Sequence, residues 1–349
     1  MESDAKLLFT SDYMEGAHPN IINRLAETNM LKTAGYGLDQ FCASAKSRIR
    51  KACKCPNADI FFLVGGTQTN ETVIDAILKP WQGVIAPASG HISVHEAGAI
   101  EFTGHKVLTL PHKFGKINSD DIEKLLEDFA ADENRDHMVM PGMVYISQPT
   151  EYGTLYSLNE LKDISSVCRK HSIPLYVDGA RLAYALASHY NTVTLEDMAK
   201  LCDAFYIGGT KCGTLCGEAV VIPNQNIITN FFTIAKQHGA LLAKGRLLGL
   251  QFDELFKDEL YLKIGKSAIE NAERITKAFS KYGYRLYFES PTNQIFVIVD
   301  DEIKNRIAEK VEFGFWEKYD DTHNVIRFAV SWATRDEEVD ELIKIISSL

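Results

Sequence analysis

From residue 60 to residue 222, short apolar runs alternate with longer segments in which apolar residues recur every third or fourth position. The runs 60–64, 83–86, 106–110, 143–147, 174–177, 204–207 and 218–222 are rich in Val, Ile, Phe and Tyr. Such runs predict strands buried on both faces, and so a mostly parallel sheet. The segments between them predict helices. In 67–78, Val73, Ile74, Ile77 and Leu78 share one face. The segment that starts at Ser119 opens with a cap residue and an acidic first turn, Ser-Asp-Asp. Segment 157–170 opens with Ser-Leu-Asn-Glu, a capping box. This alternation predicts an α/β domain with helices on both faces of the sheet.

From 226 to 282 the pattern turns helical. Gly239, Gly245 and Gly249 interrupt 227–256, which predicts two or three helices separated by breaks. Beyond 282, strands are predicted at 285–288, 294–299, 313–316 and 325–330, and helices at 301–310 and 334–348. These form a compact α+β unit of about 100 residues.

A chain of 349 residues, 46% of them hydrophobic, is long enough for one large domain and one smaller one. A net charge of -10, with no basic run, argues against a nucleic-acid platform. No stretch approaches the roughly 18 apolar residues of a membrane span, and no apolar run follows the first residues as in a signal peptide. The expectation is a cytoplasmic protein with no membrane partner. Seven cysteines, at 42, 53, 55, 168, 202, 212 and 216, are odd in number and contain no CxxC, which fits neither a disulfide framework nor a zinc site.

The candidate chemistry lies where predicted strands end. Lys211 closes Gly208-Gly209-Thr210-Lys211, and Asp178 opens Asp178-Gly179-Ala180-Arg181, 33 residues earlier. A lysine amine can form a Schiff base with the aldehyde of pyridoxal 5'-phosphate (PLP). A buried carboxylate can hold a proton on the pyridine nitrogen and make the ring an electron sink. Taken singly, Lys211 reads as a surface residue, Asp178 as a turn cap and Arg181 as a solvated helix arginine; it is their spacing at successive strand ends that points to the cofactor. Gly65-Gly66-Thr67, between a strand and a helix, offers backbone N–H groups to a phosphate, although any strand-to-helix turn shares that pattern. His91 lies beyond a strand end and can stack on a flat ring. It can also start a helix, or pair with His95 one turn on as a metal ligand, a reading that lacks a third ligand. Arg327 interrupts an apolar strand, either as a bidentate clamp for a carboxylate or as an edge-strand arginine facing solvent.

Together these residues resemble the L-threonine aldolase and β-eliminating lyase family of PLP-dependent enzymes with the aspartate-aminotransferase-like fold. The resemblance runs nearly end to end, through Phe9-Thr-Ser-Asp12, the Gly-Gly-Thr turn, Ser-Gly-His-Ile, Val-Asp-Gly-Ala-Arg, Gly-Gly-Thr-Lys and Ile-Arg-Phe-Ala-Val-Ser-Trp. It implies a fold type I large domain over 1–250 with a mostly parallel seven-stranded sheet, and a small α+β C-terminal domain over 251–349. The segment of about 1–15 is expected to pack with the small domain. Lys211 would carry the cofactor, Asp178 would pair with the pyridine nitrogen and His91 would stack over the ring. Gly66 and Thr67 would hold the phosphate. Arg181 would contact the cofactor ring oxygen or the substrate carboxylate, and Ser11 and Arg327 would receive that carboxylate. Tyr36 would reach toward a neighbouring subunit's site in a homodimer or homotetramer, and Lys244 aligns loosely with a basic residue near the phosphate. Where the family carries a histidine near the substrate β-hydroxyl, this chain has Glu151, itself capable of general-base work, so that the candidate bases are Glu151, His91 or a water between them. The implied activity is retro-aldol cleavage of L-threonine or L-allo-threonine to glycine and an aldehyde. β-Elimination or aminotransfer on another small amino acid is the alternative, and a PLP-binding or nucleotide-binding module without turnover is the non-enzymatic one.

Overall fold

The computed structural model describes residues 6–349. In chain order its strands are β1 (Leu7–Leu8), β2 (Asp59–Leu63), β3 (Gln82–Pro87), β4 (Val107–Leu110), β5 (Met140–Ser147), β6 (Leu175–Asp178), β7 (Ala204–Gly208), β8 (Glu218–Ile222), β9 (Arg285–Leu286), β10 (Gln294–Asp300), β11 (Val311–Glu312), β12 (Gly314–Lys318) and β13 (His323–Ala329). The seven runs predicted between 60 and 222 form one sheet, in the order β2-β8-β7-β6-β5-β3-β4. β8 runs against both β2 and β7, and the remaining pairs are parallel. β5 to β8 are buried along nearly their whole length because each sheet face has its own apolar layer. Val144, Ile146, Val177, Phe205, Ile207 and Val221 belong to one layer. Met143, Tyr145, Tyr176, Tyr206, Val220 and Ile222 belong to the other.

Local chemistry sets the helix boundaries. Ser157 and Glu160 form the predicted capping box of helix Leu158–Lys170. Helix Ser119–Ala131 is capped one residue earlier than expected: Asn118 accepts the Asp121 N–H and Ser119 is already helical. Segment 227–256 divides into helices Phe231–Gln237 and Arg246–Leu255, with Gly239 and Gly245 in the gap. Gly249 is no break. It lies inside the second helix, where an added Cβ would sit 2.2 Å from Cys42 Sγ and 2.7 Å from Cys42 Cα. The glycine lets that helix press against helix Gln40–Ala52. Gly249→Ala is expected to overpack this contact at a cost of about 1–3 kcal/mol, against a helix-propensity gain of about 1. A net loss near the upper end follows because a backbone atom must move, and a lower urea midpoint measures it.

The C-terminal part builds a second, smaller sheet, β12-β13-β10-β9, covered by helices Lys266–Lys281 and Asp301–Lys310, on which helix Asp336–Ser348 packs. The N-terminal β1 pairs with β11 in parallel, and Phe9 continues the contact by accepting the Ala329 N–H. The chain start therefore lies beside the small sheet before it crosses to the large one. No described helix is long and apolar enough to cross a membrane.

Candidate active site

The parallel strands deliver their C-terminal ends to one edge of the large sheet, and β8, running backwards, delivers its first residue, Glu218, to the same edge. Register places Ser147 opposite Asp178, Tyr145 opposite Tyr176, and Gly208 opposite Glu218. Because side chains alternate, Tyr145, Ser147, Tyr176, Asp178, Tyr206 and Glu218 share one sheet face. The three tyrosines form a buried row, with ring centroids 5.9 and 6.5 Å apart.

Asp178 is buried at the head of this row. Its Oδ2 accepts from the Tyr145 hydroxyl at 2.7 Å and from Asn70 Nδ2 at 3.0 Å, and its Oδ1 accepts the Ala180 N–H at 2.9 Å. Burial opposes its charge, but the nearby His91 and these donors outweigh burial and hold its pKa below the usual carboxylate value. Asn70 also donates to Glu96 Oε1 at 2.7 Å and accepts from Tyr176 at 2.9 Å. Glu96 Oε1 in turn meets His91 Nδ1 at 2.7 Å. One amide thus fixes both Asp178 and the carboxylate that orients His91, leaving the far ring nitrogen of His91 free of that contact.

Glu151 lies in the same network. Its Oε1 accepts the His91 N–H at 2.9 Å and the Ser147 hydroxyl at 2.8 Å, and its Oε2 is buried without a partner. Burial, reinforced by the negative charge of Asp178, raises its pKa.

Arg181 and Arg327 form a second group. Arg181 makes a two-pronged contact with Asp12, at 2.6 and 2.9 Å, and Asn293 Nδ2 donates to the same carboxylate at 2.9 Å. Burial alone would raise the Asp12 pKa, yet the Arg181 charge overrides it and the carboxyl is held below its ordinary value. Arg327 belongs to an interior strand of the small sheet, so the solvent-facing edge reading does not hold. It donates to Gln294 Oε1 at 3.1 Å and to the Thr10 carbonyl at 2.9 Å, lies over the Trp316 ring, and keeps Nε buried and unpartnered. Ser11 Oγ is likewise buried without a partner. Because β1 runs beside the small sheet, Ser11 and Asp12 come to the boundary between the two sheets.

Lys211 follows a turn packed too closely for side chains: a Cβ would fall 2.2 Å from the Ala180 carbonyl oxygen at Gly208, and 2.5 Å from the Gly217 carbonyl oxygen at Gly209. Its own carbonyl accepts the Tyr184 hydroxyl at 2.6 Å, and its Nζ lies 5.6 Å from the Tyr13 ring. At the other side of the edge, helix Gly66–Ile77 starts at Gly65 with no side-chain cap. A Cβ on Gly66 would sit 3.3 Å from the Tyr206 hydroxyl, and Thr67 is exposed.

Two expected residues stand apart. Tyr36 is exposed at a positive φ of 56°, with Lys236 Nζ 4.7 Å over its ring, and lines a different cavity with Phe61 and Phe232. Within one chain it joins none of the contacts above, because the loop carrying it packs on the helical segment around Gly245. Lys244 is exposed. The His91 and His95 rings lie 5.7 Å apart, and among the described residues no group of three or more His, Cys, Asp or Glu is placed to hold a metal. The residues not singled out from sequence are Asp12, Asn70, Glu96, Asn293, Glu218 and the tyrosine row. Alternation along 204–208 and 175–178 could have found the tyrosines; the others depend on contacts between distant segments.

The arrangement fits PLP on three observations: an ionised buried carboxylate with acceptor capacity left on Oδ1, an uncapped helix N-terminus kept open by glycine for an anion, and buried, unpartnered polar atoms on Ser11, Arg327 and Glu151. The sequence profile of the family described as beta-eliminating lyase matches residues 9–302. The chain is 29% identical over 340 residues to the low specificity L-threonine aldolase of Pseudomonas aeruginosa, covering 96% of both chains. A solved threonine aldolase structure from Leishmania major superposes with a TM-score of 0.94 at 42% identity, covering 98% of each chain. Aspartate aminotransferase from Thermus thermophilus, at 13% identity and a TM-score of 0.71 over 98% of this chain and 91% of its own, shares the fold. The chain belongs to the β-eliminating lyase and threonine aldolase family, within the PLP-dependent fold type I superfamily.

Proposed function

We propose that this chain is a PLP-dependent aldolase that cleaves L-threonine and L-allo-threonine between Cα and Cβ to glycine and acetaldehyde. The observation that carries the reading is Glu151: a buried carboxyl group with one free oxygen, in a network shared with Asp178 and His91. The names of the relatives support threonine as a substrate. When bound, PLP supplies the electron sink for the pair released by the breaking bond. Lys211 holds the cofactor covalently, and Asp178 keeps a proton on the pyridine nitrogen. His91, set by Glu96, covers the ring. Gly66 and Thr67 present the helix N-terminus to the phosphate. Ser11 and Arg327 receive the substrate carboxylate, with Arg181 anchored beside them by Asp12. Glu151 takes the β-hydroxyl proton.

A base with a raised pKa is protonated, and idle, below that pKa. The acid limb of kcat/KM against pH is therefore expected above the ordinary glutamate value near 4.5. Glu151→Gln should lower kcat by about 10²–10⁴-fold and remove that limb; near-normal turnover would take Glu151 out of the mechanism. Incubating the PLP-loaded protein with each threonine isomer and assaying glycine and acetaldehyde tests the reaction itself. Pyruvate and ammonia from serine, without glycine from either isomer, would instead establish elimination.

The same reading assigns a large unit over 1–250 and a small one over 251–349, with helix Arg246–Leu255 crossing between them. It also assigns a homodimer or homotetramer in which Tyr36 serves the neighbouring subunit. The exposed Met30, Leu31 and Leu38 around that loop supply apolar surface for such a contact. Seven free thiols, five of them buried, suit the cytoplasm.

A further inference from the structure

Glu218 is a buried carboxyl that the reaction outlined above does not use. It is the first residue of the antiparallel β8, and so lies on the same edge and sheet face as Asp178 and Tyr206. Its Oε2 accepts the Gly209 N–H at 2.9 Å, and the Thr210 hydroxyl lies near enough to favour the charged carboxylate. Thr210 Oγ1 in turn accepts the Gly217 N–H at 3.1 Å. Glu218 thus grips Gly209, two residues before Lys211, beside Thr210 and across a turn whose glycines leave no room for adjustment.

We propose that Glu218 is a positioning residue that clamps the Gly209–Thr210 turn and, by gaining or losing a proton, sets how Lys211 is presented to the cofactor. The inference rests on the reading of Lys211 as the cofactor lysine. Strand β2 presents only Leu63 opposite Glu218, so the charged and titratable groups around it come from elsewhere: Lys211 in the turn, Asp178 and Tyr176 on β6, Tyr206 on β7, Cys212 and Cys216 beyond the turn, and Tyr261 from the helical segment. Burial is the main influence on Glu218, and the Asp178 charge adds to it; the nearby Thr210 hydroxyl, the Gly209 N–H and the Lys211 charge offset them only in part, leaving its pKa at about 7. A carboxyl shifted upward binds its proton more tightly folded than unfolded. Its destabilising effect therefore grows as pH rises from the ordinary glutamate value through about 7, and is complete above that. The clamp changes charge inside the neutral range, where neither Asp178 nor an ordinary glutamate does.

The test is a pH titration of the visible absorbance of the PLP-loaded protein, from about pH 5.5 to about pH 9, for wild type, Glu218→Gln and Glu218→Ala. Wild type should show an inflection near neutrality. Glu218→Gln, which keeps an acceptor for Gly209, should retain the cofactor but lose that inflection or move it by at least about one pH unit. Glu218→Ala, which loses the grip, should weaken PLP binding about tenfold, as read from fluorescence quenching. Titrations superimposable on wild type in both variants would overturn the inference and leave the PLP reading intact. A wild-type protein without a visible band after PLP addition would overturn both. Should the variants fail to fold, infrared difference spectra of the Glu151→Gln protein between about pH 6 and about pH 8 decide: a carboxyl C=O signal lost on raising pH supports titration of Glu218, and its absence sinks the proposal.

Discussion

Lys211→Ala is expected to remove the visible absorbance of the PLP-loaded protein and to lower glycine formation more than about 10³-fold, since the covalent hold on the cofactor goes with the amine. The fold should survive. Tyr184 bonds to the Lys211 carbonyl and not to its side chain, and that bond persists with alanine in place. The close turn before it is made by Gly208 and Gly209, which the substitution leaves untouched. Absorbance and melting temperature measured on one preparation separate loss of the cofactor link from loss of the fold. A variant that retained the band would show that another amine holds the cofactor.

Asp178→Asn should give the opposite spectroscopic result with a comparable kinetic one. The variant keeps Lys211 and so keeps its band, but an uncharged amide cannot stabilise a protonated ring nitrogen. An ion pair at about 4 Å in surroundings with an effective dielectric constant near 20 contributes about 4 kcal/mol, or roughly three orders of magnitude in kcat. The new amide also brings N–H groups toward Asn70 and Tyr145, which now donate to the carboxylate. In the wild type, the Asp178 pKa lies below the ordinary carboxylate value, so its charge is present above that value and is lost only as pH falls through the depressed one. Acid inactivation above the ordinary carboxylate range therefore traces to Glu151 or Glu218, both with raised pKa values, and the Gln variants at the two positions assayed side by side distinguish them.

The large sheet was legible because both its faces are buried, so each strand reads as an unbroken apolar run flanked by capped helices. The short β1–β11 pair was not legible, since two residues carry no periodicity. Gly249 misled for a related reason: within a sequence a glycine signals a break, and only the Cys42 contact shows that it serves close helix packing. Among the site residues, Lys211, Asp178, Gly66, His91 and Arg181 stand at strand ends and helix starts, where local pattern points to them. Asn70, Glu96 and Asn293 lie within a helix or a loop, and their importance comes from partners such as Asp178, 108 residues from Asn70. Arg181 was anticipated as a ligand contact; that its guanidinium is already engaged by Asp12 is a tertiary fact with no local signature.

The junction at Asp12 bears on how the protein is made. Asp12 is joined to Arg181 and to Asn293, across 169 and 281 residues of chain, and the Thr10 carbonyl to Arg327 across 317. Contacts of such span form late, because closing long loops precedes any gain from them. During synthesis the large sheet can assemble from contiguous segments while the Asp12 carboxylate waits for a partner not yet translated. The junction can therefore close only after the segments carrying Asn293 and Arg327 have been made, well after the strands of the large sheet.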